Sequence, residues 1–127
     1  MKDRNIVYTD KAPEAIGPYS QATTAGGFVW CSGQIPLDPQ TMEMVQGDVS
    51  VQARQVMENL KHVLSEAGSS FGRVIKCTIY LADMKDFASV NEVYGHYFPQ
   101  DPPARETVAV KELPKGSRVE ISCIALQ

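Results

Sequence analysis

The chain has 127 residues, of which 43% are hydrophobic and 21% are charged. These proportions are typical of a globular protein and exclude a disordered chain, which would be poor in apolar residues. Twelve basic and fifteen acidic residues give a net charge of -3, and this acidic balance disfavours RNA or DNA as the main partner, because nucleic-acid-binding domains are usually basic.

The N-terminal ten residues, MKDRNIVYTD, contain no apolar stretch of the kind found in secretory signals, and no segment is apolar enough to span a membrane. The odd cysteine count (Cys31, Cys77 and Cys123) without an export signal predicts reduced thiols and a cytoplasmic location. Each cysteine lies in an apolar run, which predicts a buried core residue. No repeat or linker interrupts the chain, so we expect a single domain over residues 1–127.

The N-terminal half predicts a hairpin, a loop and a helix. Strands are expected at 19–24 and 28–32 around Gly26-Gly27, and the pattern also allows a short strand at 5–8. Residues 33–47 have the glycines and prolines of a loop. Over 49–67 the apolar residues follow helical spacing, with Asp48 or Ser50 as the N-cap and Gly68 just past the end.

The C-terminal half predicts a strand, a helix and two further strands. Residues 73–82 alternate, with Ile75 and Cys77 on one face and Val74 and Tyr80 on the other. A helix is expected at 86–98, ended by Pro99, and strands at 105–111 and 117–126. The order β-β-α-β-α-β-β predicts an α+β fold with two helices packed on one face of a mixed sheet.

Two helices cover only one face of such a sheet. The other face is expected to carry apolar groups, Val74 and Tyr80 among them. Exposed apolar surface usually marks a partner surface, so we expect a homo-oligomer that packs sheet face toward sheet face.

Arg105 and Glu120 are polar residues at positions where chemistry is possible. Arg105 stands at the entry of a strand after Pro102-Pro103-Ala104, and its guanidinium could bind a small carboxylate or form an ordinary surface salt bridge. Glu120 interrupts an apolar strand, where it could be a half-buried proton-transfer group or simply point to solvent. His62 and His96 read as surface residues.

Three residues near turns are further candidates. Tyr19 follows a Gly-Pro turn and could line a cleft or pack as an aromatic strand residue. Ser32-Gly33 ends a strand, where glycine either lets a ligand approach the backbone or simply makes the turn.

Five ordered blocks resemble the RidA/YjgF family, and the resemblance spans about residues 5–126. Such a set is far more specific than any single motif, and it favours the functional interpretation of Arg105 and Glu120. The blocks are residues 12–22 (APEAIGPYSQA), 32–36 (SGQIP), 90–94 (VNEVY) with Phe98, 103–105 (PAR), and 113–116 (LPKG) with 119–121 (VEI).

The resemblance implies a chorismate-mutase-like fold and a homotrimer with sites between subunits. It implies a C–N hydrolase without a cofactor, which converts reactive 2-imino or enamine acids such as 2-iminobutanoate and 2-iminopropanoate to 2-oxo acids and ammonia. By the same resemblance, Arg105 would bind the substrate carboxylate and Glu120 would activate water or shuttle a proton. Backbone groups near Gly33 and Thr107 would contact the imine nitrogen, and Tyr19 would line the cleft.

Ser32 and Asn91 are implied as substrate-site residues with a supporting role. Two positions depart from the family pattern. Many deaminases of the family have Cys where this chain has Thr107, and a small residue where it has Glu106. Strand alternation predicts that Glu106 faces away from Arg105 and lies outside the pocket.

Two other functions stay open from the sequence. The same fold could serve as a non-enzymatic module that binds a small carboxylate and reports it to a protein partner. Members of the family have also been described as ribonucleases and translation inhibitors, so an RNA-acting protein is the third hypothesis. The acidic net charge disfavours it.

Overall fold

The computed structural model describes residues 3–127. Six strands form one mixed sheet in the order β1-β2-β3-β6-β4-β5, and both helices pack on one of its faces, as predicted. Only β4 and β5 pair in parallel, and the other neighbours are antiparallel. The elements are β1 Arg4–Val7, β2 Ala22–Ala25, β3 Phe28–Gln34, α1 Val49–Glu66, β4 Val74–Leu81, α2 Phe87–Tyr97, β5 Ala104–Ala109 and β6 Val119–Leu126.

Capping and turn residues mark both ends of α1 and the start of α2. The Asp48 carboxylate accepts a hydrogen bond from the Val51 N–H at 3.1 Å, which caps α1. Gly68 follows α1 with φ +80°, the left-handed conformation that glycine adopts without strain. Before α2, Met84–Asp86 form a single 3₁₀ turn, so the helix starts one residue later than the sequence predicts.

The core lies between the helices and the inner face of β3, β6 and β4. Met57 and Leu60 of α1 are fully buried against Ile79 and Ile121 of the sheet. The three cysteines are free and buried on this same face, which confirms their prediction as core residues. Burial at this scale accounts for the fold, because each large apolar side chain removed from water contributes about 1.5–3 kcal/mol.

The strand predicted at 19–24 is shorter and later in the structure. β2 spans only Ala22–Ala25, since Tyr19 belongs to a turn in which its N–H donates to the Gly17 carbonyl at 2.9 Å. Gln21 also lies outside β2. Its buried amide donates to the carbonyls of Thr9 and Pro13, which ties the preceding loop to the sheet.

The faces predicted for β4 are wrong at its first two residues. A register shift between Val74 and Lys76 places Val74 in the core and leaves Ile75 exposed. A bulge adds one residue to one strand and so reverses the alternation before it. Cys77 and the residues after it follow the predicted pattern, and Tyr80 lies half-buried on the open face.

The second face of the sheet carries no helix within residues 3–127. On this face Trp30 is 46% exposed beside its register partner, the half-buried Ile124, and Val108 is 43% exposed on the edge strand β5. The expected apolar groups are therefore present on this face, mixed with charged residues such as Lys76 and Glu106, although Val74 is not among them. Among the described helices, none is both long and apolar enough to cross a membrane.

Candidate functional site

Arg105 stands on the edge strand β5, with its side chain on the face that the helices cover. Its register partner on β4 is Cys77, a core residue. An Nη1–H donates to the Asn91 Oδ1 at 2.6 Å. Arg105 is exposed, so part of the guanidinium fork stays open to a ligand.

Glu120 lies on β6, on the open face of the sheet. Its neighbours Val119 and Ile121 are fully buried in the core, and Tyr80 is its register partner on β4. The side chain is half-buried, and this desolvation raises the pKa of the carboxyl above its usual value. Glu120 is therefore placed to exchange a proton closer to neutral pH than an exposed glutamate.

Gly33 provides the space that the Glu120 side chain occupies. A Cβ built on Gly33 would lie 2.8 Å from the Glu120 Cδ and would overlap a carboxylate oxygen. The backbone of Gly33 does not have a positive φ, so the position requires the missing side chain rather than an unusual conformation. β3 is also bulged between Cys31 and Gln34, where it passes Glu120.

Ser32 and Tyr19 are brought next to Gly33 by the loop that precedes β2. The Ser32 hydroxyl donates to the Ser20 carbonyl at 2.6 Å, and the Ser32 N–H donates to the Gln21 carbonyl at 3.0 Å. Tyr19 is 55% exposed beside them. Ser32 thus fixes the loop that carries Tyr19.

Apart from Thr107, the expected site residues fall into two separate cavities of one chain. One, of about 620 Å³, is lined by Tyr19, Ser32, Gly33 and Glu120, together with apolar residues. The other, of about 430 Å³, is lined by Asn91 and Arg105 with residues of α2 and the Pro102-Pro103 connector. The two cavities share no lining residue.

The two departures from the family pattern have different surroundings. Glu106 lies on the open face, where it forms a salt bridge with Lys76 at 3.3 Å, so it is outside the Arg105 cavity as predicted. Thr107 lies on the same face as Arg105, and its hydroxyl is buried without a hydrogen-bond partner among the described residues. Within residues 3–127, no cluster of three or more His, Cys, Asp or Glu side chains is placed to bind a metal ion.

Sequence reasoning missed two residues that contact Arg105. Neither Phe87 nor Tyr94 was expected to contact Arg105, yet the Arg105 Cζ lies 5.6 Å and 5.0 Å from their ring centroids. With Asn91 they follow the i, i+4, i+7 spacing of one helix face. An asparagine on that stripe was the signal that could have indicated a polar partner on β5.

Comparison with known proteins finds relatives over nearly the whole chain. The family model described as endoribonuclease L-PSP matches residues 9–127. Protein DfrA of Myxococcus xanthus is 61% identical over 97% of this chain and 95% of that protein. The mouse 2-iminobutanoate/2-iminopropanoate deaminase is 48% identical over 98% of this chain and 92% of its own length.

Solved structures give the same result. The crystal structure of E. coli TdcF with bound serine superposes with a TM-score of 0.92 at 44% identity, covering 97% of this chain and 98% of that one. The sequence blocks, the sheet order and these relatives agree, and the chain belongs to the RidA/YjgF family, whose family model carries the description endoribonuclease L-PSP.

Proposed function

We propose that the protein is a deaminase that hydrolyses 2-iminobutanoate and 2-iminopropanoate to the 2-oxo acids and ammonia. The observation that carries the proposal is the combination of a partly open guanidinium at Arg105 and a desolvated carboxyl at Glu120. Relatives of that name at 48% and 46% identity support it. We place the reaction in the cytoplasm, where the three free thiols would stay reduced.

Arg105 binds the substrate carboxylate in this proposal. Its Nη1 is held by Asn91, which leaves other N–H groups of the guanidinium for two parallel hydrogen bonds to the carboxylate oxygens. An imine is already reactive toward water, so holding it in one orientation beside a proton-transfer group supplies much of what catalysis needs.

Glu120 transfers the protons. As a carboxylate it accepts a proton from water while the water oxygen bonds to C2 of the imine, and it then donates that proton to the imine nitrogen. Collapse of the resulting amino alcohol expels ammonia and leaves the 2-oxo acid, so one water is consumed for each imine. The raised pKa of Glu120 brings its proton exchange closer to neutral pH than that of an exposed glutamate. Backbone groups at Gly33 and Thr107 would contact the imine nitrogen, and Tyr19 would cover the cleft.

The complete site forms between copies of the chain. The Arg105 cavity and the Glu120 cavity have no residue in common, so neither half alone offers both groups to one substrate. In a head-to-tail ring, the Arg105 cavity of one subunit can face the Glu120 cavity of the next. We propose that this ring is a homotrimer.

The test is an imine-decay assay. An amino-acid oxidase generates the imine, and its loss is followed with and without the protein. Wild type should accelerate the decay, and Arg105→Ala should lower kcat/KM by roughly a hundredfold, since it removes a charge-assisted pair. Arg73→Ala, which removes an exposed arginine bonded to the Gln127 carbonyl, is the matched control. No acceleration by wild type, or full activity of Arg105→Ala, would refute the assignment.

A carboxylate-binding module is the second candidate, since the TdcF relative is described with bound serine. Glu120→Gln separates the two. If the protein is an enzyme, this variant keeps its affinity for 2-oxobutanoate but loses turnover. If wild type binds 2-oxobutanoate and accelerates no imine, the binding module is correct. The net charge of -3 gives RNA binding no electrostatic support.

A further inference from the structure

The guanidinium of Arg105 lies against one face of α2. Phe87, Asn91 and Tyr94 are spaced by four and three residues, so they stand one above another on that helix. The Arg105 Cζ lies 5.6 Å from the Phe87 centroid and 5.0 Å from the Tyr94 centroid, and Asn91 accepts a hydrogen bond between them. Two rings and one amide oxygen thus contact one cation.

The two rings are held to different degrees. Tyr94 is 5% exposed, and its ring packs against Phe98 with centroids 4.8 Å apart. Its hydroxyl has no nitrogen or oxygen partner in the described part of the chain and faces the Cys77 thiol. Phe87 is 37% exposed at the start of the helix. Of the two rings that contact the guanidinium, Tyr94 is therefore the buried and fixed one, and Phe87 is the more exposed one.

This arrangement limits the orientations that the guanidinium can adopt. An exposed arginine on an edge strand would otherwise sample many rotamers, and that freedom would be lost on binding a carboxylate. Cation–π contact holds the plane of the fork, and the Asn91 oxygen holds one of its edges. The remaining N–H groups of the guanidinium are therefore already oriented in the absence of a ligand.

We propose that Phe87 and Tyr94 are positioning residues, which act through Arg105 to orient its fork for the substrate carboxylate. The inference rests on the proposed function and adds to it the groups that preorganise its anion site. Neither ring needs to touch the reacting atoms, so their loss should weaken carboxylate binding more than it slows the chemical step.

The test combines affinity, kinetics and side-chain dynamics. Tyr94→Leu and Phe87→Leu should each raise the Kd for 2-oxobutanoate and the KM for the imine about tenfold, with kcat changed less than about threefold. Tyr94→Phe keeps the ring and should restore both within about twofold. Tyr97→Leu removes a tyrosine of the same helix that contacts Phe71 and Glu58 instead, and should leave Kd unchanged.

Two further measurements separate positioning from a structural effect. In an Arg105→Lys background, which has no fork to orient, Tyr94→Leu should change the Kd less than about twofold. By ¹⁵N NMR, rotation of the Arg105 Nη groups should be slow in wild type and fast in Tyr94→Leu. An unchanged Kd and KM in Tyr94→Leu, an equal rise in Tyr97→Leu, or free rotation in wild type would overturn the inference.

Failure of the proposed function gives a different pattern. If wild type accelerates no imine but binds 2-oxobutanoate with the Tyr94 dependence given above, the deaminase is refuted and the positioning role stands for a binding site. If wild type turns over the imine and the Tyr94 variants do not differ from it, the positioning role alone is refuted.

Discussion

Arg105 and Glu120 lie on opposite faces of the same sheet. Arg105 pairs with Cys77 and Glu120 pairs with Tyr80, and these partners are three residues apart on β4, the strand between β5 and β6. Because side chains alternate along a strand, an odd separation places the two groups on opposite sides. The cation and the carboxyl of one chain therefore cannot meet on one small substrate.

This separation predicts complementation between inactive variants. Arg105→Ala and Glu120→Gln, each nearly inactive alone, are mixed in equal amounts, unfolded together and refolded. If each site takes Arg105 from one subunit and Glu120 from the next, random assembly should restore about a quarter of the wild-type imine-decay activity.

Mixing Arg105→Ala with the Arg105→Ala/Glu120→Gln double variant is the control. It supplies no Arg105 to any site and should stay inactive. A complementing mixture no more active than either variant by itself would show that the site is not shared between subunits.

Gly33→Ala should remove activity while leaving the fold intact. The added Cβ would occupy the position of the Glu120 carboxylate, so the side chain must turn away from the cavity. We expect kcat/KM to fall about a hundredfold or more, with the circular dichroism spectrum unchanged. Gly72→Ala is the matched control, since its nearest neighbour would be the Ser70 Oγ at 3.8 Å. Normal activity of Gly33→Ala would mean that Glu120 does not work from this position.

Periodicity predicted the helices and the central strands well, because long runs of buried and exposed residues leave little choice of face. It failed where a single residue changes the register, as at the bulge before Cys77. The short β2 was also missed, because the amide of Gln21 binds the loop through residues 8 to 12 positions away, a contact that no local pattern contains.

The candidate site was predicted residue by residue through the family resemblance, and its geometry was not. Nothing in the spacing of Arg105 and Glu120 along the chain shows that β4 lies between their strands. The role of Phe87 was hidden for a related reason. Its place on the apolar stripe of α2 fits a core residue equally well, and only the register of β5 brings Arg105 beside it.

Arg118→Ala should destabilise the fold. Arg118 donates to the Asp86 carboxylate at 2.8 Å and 3.3 Å, and the Asp86 side chain is only 8% exposed. The variant leaves that carboxylate unpaired, and we expect a loss of about 1–3 kcal/mol in urea unfolding, less than for a fully buried pair because Arg118 is partly solvated. Lys85→Ala, which removes an exposed ion pair with Asp83, should change stability by less than about 0.5 kcal/mol. Equal stability of Arg118→Ala and wild type would contradict this account.

Glu120→Gln should stabilise the protein at neutral pH and not in acid. Burial raises the pKa of this carboxyl in the folded state, so the native state binds the proton more tightly than the unfolded state does. Wild-type stability attributable to Glu120 therefore falls as pH rises from the unfolded glutamate value, about 4.3, through the raised folded value, and then stays level.

Glutamine carries no charge, so its burial does not carry the desolvation cost of a carboxylate. Thermal unfolding at fixed protein concentration should give a higher Tm for Glu120→Gln than for wild type at about pH 7, and similar values at about pH 4. Glu112→Gln, at an exposed glutamate, should follow wild type at both pH values. A variant less stable than wild type at neutral pH would mean that the folded protein stabilises the charged form of Glu120, and that desolvation does not dominate at this position.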